Sequence, residues 1–167
     1  NGIISAALVA DPRLLTGKKI NGLKKAGVDF VCLSIDHYSD KELYKARKIK
    51  GLFNKLKIGV KKLNNNQIHT QASILISRFN HKCLKKLFDK CNEIGFDTIS
   101  INYPEFSESP VYTLGGEGIK LTKKQTIKAL EEIIKLKKQG YLVYVTPKKI
   151  ERGIRRFKIT ISLDRFY

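Results

Sequence analysis

The sequence predicts an α/β fold of parallel strands, built as an open or partial (β/α) barrel. Two observations predict it. First, strand-length apolar runs alternate with helix-length amphipathic segments in the order αβαβαβαβ, and helical crossovers of that length join parallel strands with right-handed connections. Second, the strands differ in their faces. Val28 to Asp36 is largely apolar on both sides, as in a sheet covered by helices, whereas Gln71 and Ser73, and Thr98, Ser100 and Asn102, keep a polar side. A doubly wound sheet buries both faces. A barrel buries its outer face and can leave polar groups inside, so the polar parity favours the barrel.

Each element has a local reason. Lys18 to Lys25 reads as a helix through Ile20, Leu23 and Ala26, closed by Gly27. The first strand, Val28 to Ile35, follows at once. Side chains alternate along a strand, so Phe30, Cys32, Ser34 and Asp36 share one face, and Val31, Leu33 and Ile35 the other. Ser39 is placed to cap a helix from Asp40 to about Lys48. Gly51 opens another, with Leu52, Phe53, Leu56, Val60 and Leu63 at helical spacing, and Asn64 to Asn66 is its turn.

The second strand runs from Ile68 to Ser77. Asn80 or His81 is placed to cap the helix Cys83 to Ile94, which Gly95 ends. The third strand spans Asp97 to Tyr103. Residues 104–118 form a loop rich in Pro, Gly and Ser. Thr122 and Gln125 form a capping box for a helix through Ile127, Leu130 and Ile134 to Lys138. Tyr141 to Thr146 reads as a fourth strand stopped by Pro147, and Phe157 to Leu163 as a short last strand.

The 167 residues fit one domain. Hydrophobic content of 42% and charged content of 29% are ordinary for a globular chain. No apolar run is long enough to span a bilayer, and no signal peptide is read. The opening Asn1-Gly2, without Met, leads us to expect a fragment. Net charge is +18. That fits either attraction to a polyanion or a lysine-rich bias spread over solvated helix faces. The second is the expectation, because the lysines lie inside amphipathic helices and aromatics are not interleaved with them. Three cysteines, an odd and sparse number, point to a reducing, cytoplasmic setting. Cys32 and Cys91 read as core thiols, and Cys83 and Cys91 are too far apart for a CxxC clip.

Several of these segments, in order, resemble the radical S-adenosylmethionine (radical SAM) enzymes. Asn1-Gly2 resembles the end of the TNG motif after that family's third strand. Gly27-Val-Asp-Phe-Val-Cys-Leu-Ser-Ile-Asp36 is similar to its "G-x-D-x-v-x-i-S-l-D" step. Arg47 to Phe53 looks like "R-G-x-x-G-x-F", with Lys48 in place of the first glycine. Ile68 to Ser77 with Asn80 looks like the next strand and its "v-x-r-x-N" turn.

The resemblance implies a partial (β/α) barrel truncated at its N-terminus, with residues 1–147 as the partial core domain and 148–167 as the start of a lost extension. It implies S-adenosylmethionine and a 4Fe-4S cluster as cofactors, an electron donor, and an unknown small-molecule or peptide substrate. In the family, reductive cleavage of the sulfonium starts radical chemistry, so an oxidoreductase or radical transferase is implied. The cluster-binding CxxxCxxC is absent from this chain, and so is the GGEP motif; Gly115-Gly116-Glu117 lies in the wrong place. The resemblance therefore implies a chain inactive alone, with three strands expected before Asn1.

It carries Ser34 and Asp36 over to the ribose hydroxyls of S-adenosylmethionine, with Asp36 accepting from a diol. Arg47 either pairs with the methionine carboxylate or is a solvated helix charge. Asn80 either contacts cofactor or caps a helix. Thr98, Ser100 and Asn102 are candidates for a polar substrate wall or for ordinary hydrogen bonding inside the barrel. No protein metal ligands are expected, since His37, His69 and His81 share no helical face. No GxSxG elbow, Walker loop or HExxH is present, and Leu114 to Gly118 lacks the Lys-Ser/Thr pair of a phosphate cradle. Two other readings stay open. A different α/β-barrel metabolic enzyme, such as a Schiff-base aldolase, needs a strand lysine near Asp36. A basic nucleic-acid-binding α/β domain needs positive charge concentrated on one side.

Overall fold

The computed structural model describes residues 5–102 and 119–163, without the side chains of Ala46 and of residues 156–163. The expectations for Asn1-Gly2 and for the loop 104–118, with its Gly115-Gly116-Glu117, lie outside the described residues. Four strands form one parallel sheet in the order β1-β2-β3-β4: β1 Ala7–Ala10, β2 Phe30–Ser34, β3 His69–Leu75 and β4 Thr98–Asn102. The strands lie side by side in chain order, with no reversal. A doubly wound sheet reverses its strand order at a switch point, so the described sheet is not of that kind.

The helices are α1 Gly17–Lys25, α2 Asp40–Arg47, α3 Leu52–Asn65, α4 Leu84–Ile94, α5 Lys123–Lys138 and α6 Pro147–Leu163. Alternation along the strands sorts the sheet into two faces. Val31, Leu33, Ile35, Ala72, Ile74 and Ile76 are buried and share one core with Leu56, Val60, Leu63, Leu87, Phe88 and Cys91 from α3 and α4. The other face carries Phe30, Cys32 and Ser34 on β2, and Ser73 and Leu75 on β3, all partly accessible. Among the described residues, helices thus cover one face and leave the other, with its hydroxyls, partly accessible.

The ends of the elements follow local chemistry. Gly95 closes α4 at φ 95°, where a β-carbon would strain the backbone. Thr122 accepts from the Gln125 N–H while the Gln125 side chain accepts from the Thr122 N–H, so the predicted capping box opens α5. At α2, Ser39 makes no side-chain cap bond, and its N–H goes to His37 instead. Neither Asn80 nor His81 caps α4; the N-cap position belongs to Cys83.

Three expectations are corrected. The strand β1 lies ahead of β2 within this chain and was not read from the sequence; its Ala-rich segment is exposed and lacks alternation. The fourth strand expected at Tyr141 to Thr146 shrinks to a single bridge between Ile99 and Val143. There the Lys137 ammonium takes the carbonyls of Val143 and Val145 (2.8 Å to the latter), and α6 begins at Pro147. The last expected strand, Phe157 to Leu163, is instead the end of α6. That helix packs on α5, and Ile150 and Ile154 join the main core.

Among the described residues no helix is long and apolar enough to cross a membrane. The capping box gives a direct stability test. Thr122→Ala removes the acceptor for the Gln125 N–H and is expected to cost about 1 kcal/mol in urea unfolding, with Thr122→Ser near wild type. Equal stability of all three proteins would show that the box contributes nothing.

Candidate functional site

The open face is ordered by parallel register. Ser34 stands opposite Ser73, and Ser73 opposite Ser100, so three hydroxyl residues cross β2, β3 and β4 in one row. The next row pairs Leu75 with Asn102, and the Asn102 amide donates to the Ser73 hydroxyl at 3.2 Å. Toward the N-terminal end of the strands lies a polar relay. The Cys32 thiol donates to the Gln71 carbonyl (3.3 Å), the Gln71 amide donates to Thr98 Oγ1 (3.3 Å), and His69 Nε2 lies 2.9 Å from the same hydroxyl.

The carboxyl ends of β2 and β3 are tied by polar side chains. Asp36 lies just past β2. One of its oxygens accepts from the Leu75 N–H at 3.3 Å; the other accepts from Arg47 Nε at 2.9 Å and from Arg47 Nη2. Arg47 ends α2, so the helix returns its guanidinium to the strand end. The Asp36 side chain is 20% exposed and that of Arg47 41%. This is a pair at the edge of solvent, holding the carboxylate and leaving part of the guanidinium accessible.

Asn80 is fully buried and committed. Its amide donates to the carbonyls of Asp36 and Leu75, both at 2.8 Å, and its oxygen accepts from the Ser77 N–H at 2.9 Å. Its partners are all backbone groups, and it does not cap the helix. It is a strap that joins the ends of β2 and β3 to the turn after β3.

A cavity of about 520 Å³ opens at this end, lined by Asp36, His37, Arg47, Leu75, Ser77 and Phe79 among others. A second, of about 720 Å³, is lined by Ser100 and Asn102 together with Tyr144, Thr146 and Lys149 among others. Both are of a size that takes small organic ligands. The structure therefore brings Asp36 and Arg47 together at one cavity and Ser100 and Asn102 at another, with Ser34 in the row between the strands. Thr98 is held in the relay at the opposite end of β4, away from both.

His37 and Cys83 approach each other across the first cavity's edge, with Nε2 3.8 Å from Sγ. The Ser39 N–H can only donate, so the Nδ1 it reaches at 3.0 Å is an acceptor, and in the neutral ring the proton sits on Nε2. The thiol in turn donates to the Asn80 carbonyl at 3.3 Å. An imidazole in that tautomer cannot take the thiol proton, so the pair is not an activated nucleophile. Burial holds His37 below the ordinary histidine value and pushes the Cys83 and Cys32 thiols up; in the core Cys91 is pushed up to about 12.

These cysteines do not fit an iron–sulfur cluster. They sit on separate elements, burial favours the protonated thiol in each, and clusters are held by thiolates. Among the described residues no group of three His, Cys, Asp or Glu side chains is arranged to hold a metal ion. The Schiff-base reading lacks its nucleophile as well, because no lysine lies in β1 to β4.

Sequence reasoning did not reach the serine row, the Leu75 N–H on Asp36, or the strap. The row had a signal. Ser34, Ser73 and Ser100 each precede an isoleucine near the carboxyl end of its strand, and aligning those ends gives the observed register.

No family model matches the chain, and no curated protein does. Solved structures do. They are described as "Native anSMEcpe with bound AdoMet", "Native anSMEcpe with bound AdoMet and Kp18Cys peptide" and "Native anSMEcpe with bound AdoMet and Cp18Cys peptide". Each superposes with a TM-score of 0.61 at 15% identity, over 79% of this chain and 36% of that chain. The fold is thus similar to that of a radical SAM enzyme, and the chain spans 36% of the length of the structures it matches.

The strap predicts a stability effect. Asn80→Ala leaves two carbonyls and one N–H unpaired at a buried site, and each such group costs about 1–3 kcal/mol. We expect a loss of about 3 kcal/mol or more by urea denaturation. A loss below about 1 kcal/mol would show that water satisfies these groups and that Asn80 is no strap.

Proposed function

We propose that the chain is the C-terminal part of a radical SAM core domain, its sheet an arc of a partial (β/α) barrel, and that its open face binds S-adenosylmethionine. The observation that carries this reading is the Arg47–Asp36 pair beside the serine row, on a fold shared with AdoMet-bound structures. In this reading the parent protein is a cytoplasmic radical SAM oxidoreductase or transferase acting on a small molecule or peptide.

The chain's own residues supply binding and orientation. A guanidinium has five N–H donors, and Arg47 directs two groups, Nε and Nη2, to one oxygen of Asp36. Its remaining donors serve the methionine carboxylate, for which the planar fork is suited. Asp36 fixes the guanidinium, so its first role is to position Arg47. The hydroxyls of Ser34, Ser73 and Ser100 serve the ribose. Ser100 and Asn102 present polar groups to the substrate. The cluster, with its electron donor, belongs to protein outside these residues, and no step of its chemistry falls to this chain.

Calorimetric titration with S-adenosylmethionine tests the reading. Wild type is expected to bind. Arg47→Gln should weaken binding by tenfold or more, the size of a lost charge-assisted hydrogen bond (about 1.5–3 kcal/mol). Asp36→Ala should weaken it too, by releasing Arg47. No binding by wild type, or equal affinity in Arg47→Gln, would overturn the assignment.

A further inference from the structure

The helical side of the sheet carries a feature that the cofactor reading does not use. Helix α1 (GKKINGLKK) and helix α3 (LFNKLKIGVKKLNN) contain no acidic residue. On α1 the lysines are Lys18, Lys19, Lys24 and Lys25, and all are exposed. On α3 they are Lys55, Lys57, Lys61 and Lys62, also exposed. The two helices pack side by side. Among the described residues the ion pairs between lysine or arginine and a carboxylate lie elsewhere: Arg13–Asp11, Lys45–Glu42, Arg47–Asp36, Lys85–Asp89 and Lys90–Glu93. Glu93, which Lys90 holds, also feels the charge of Lys57. The other basic helices are diluted: α5 carries Glu131 and Glu132, and α6 carries Glu151.

Eight lysines on two adjacent helices make a positive field rather than a pocket. At 1.5 Å per residue, α1 is about 14 Å long and α3 about 21 Å. Charges so spaced lie within a few Debye lengths of one another, about 8 Å each at physiological salt, and their potentials add. A duplex presents one negative charge per about 1.7 Å of axis with both strands counted, so a stretch of this length carries roughly a dozen phosphates, part of them turned toward the patch. A single small anion would meet no convergent donors here.

The surface also lacks what a lipid bilayer requires. The apolar residues Ile20 of α1 and Leu52, Leu56, Val60 and Leu63 of α3 are consumed by the core, which leaves Ile58 of α3 as the one large apolar side chain exposed on these two helices, whereas an interfacial helix needs a whole apolar face free. We propose that the outer face of α1 and α3 is a sequence-independent docking surface for the phosphate backbone of nucleic acid. It lies on the opposite side of the sheet from the serine row, so the two surfaces can be occupied together.

Fluorescence anisotropy with a labelled 20-base-pair DNA duplex and a 20-nucleotide RNA, from low to physiological salt, tests this. Lys18, Lys19, Lys61 and Lys62 are changed together to Gln. A matched control changes Lys124, Lys128, Lys135 and Lys138 on α5, removing the same number of charges. Wild type is expected to bind with strong salt dependence. The α1/α3 variant should lose at least tenfold in affinity, and its slope of log K against log salt on duplex should flatten by about three to four. The α5 variant should lose much less. Equal losses in both variants would mean attraction to net charge with no defined surface, and would overturn the proposal. So would absence of binding by wild type, or binding only to vesicles of phosphatidylserine and phosphatidylcholine. Titration with S-adenosylmethionine is unaffected by either set of changes, which separates this outcome from that of the cofactor reading.

Discussion

One helical layer buries one face of the parallel sheet, and everything else in the molecule follows from that asymmetry. Val31 and Leu33 of β2 and Ile35 just beyond it, with Ala72 and Ile74 of β3 and Ile76 just beyond it, meet Leu56, Val60, Leu87 and Phe88 from the helices. Because alternate residues must point the other way, burying these six exposes Cys32, Ser34, Ser73 and their neighbours. A polar residue on the covered face loses water and must bring its own partner, as fully buried Thr70 does by donating its hydroxyl to the Asp97 carboxylate at 2.8 Å. On the open face a hydroxyl costs nothing, which is where the serines and Asn102 are found.

The carboxyl edge of the sheet divides its polar groups between two tasks. Asn80 commits both its amide protons and one bond to its oxygen to backbone groups, and holds β2 to β3. Arg47 spends part of its capacity on Asp36 and keeps donors over. The difference separates structure from function at a strand end. A buried side chain with no free donor stabilises; a half-exposed cation on a fixed carboxylate can recruit an anion. Asn80 and Arg47 came from neighbouring motifs of the same resemblance, and only their hydrogen-bond partners tell them apart.

Legibility in the sequence followed the strength of the local signal. The helices through Leu56, Phe88 and Leu130 were readable because their apolar positions recur at the helical period. The strands around Leu33 and Ile74 were readable from alternation. The weak edge strand Ala7–Ala10 has neither, and it is held in place by pairing with β2. The segment at Val143 has the composition of a strand, but Lys137 takes its carbonyls. Within the site, Ser34, Asp36 and Arg47 were legible as residue types at a strand end and a helix end. That Arg47 would bind Asp36, eleven positions earlier, depends on how α2 folds back, which no local pattern states. The serine row depends on register between strands about 27 to 39 residues apart, and the charge concentration on α1 and α3 emerges only when those two helices are seen to be neighbours.

Thiol labelling of the native protein tests the asymmetry most directly. Cys32 lies on the open face and Cys91 under the helices, in one chain under one condition. Peptide mass spectrometry after brief exposure to a small methanethiosulfonate should find Cys32 modified well before Cys91, at least tenfold faster. Equal protection of the two cysteines, or modification of Cys91 first, would mean that the polar face is covered, and the account of an exposed binding surface would be wrong.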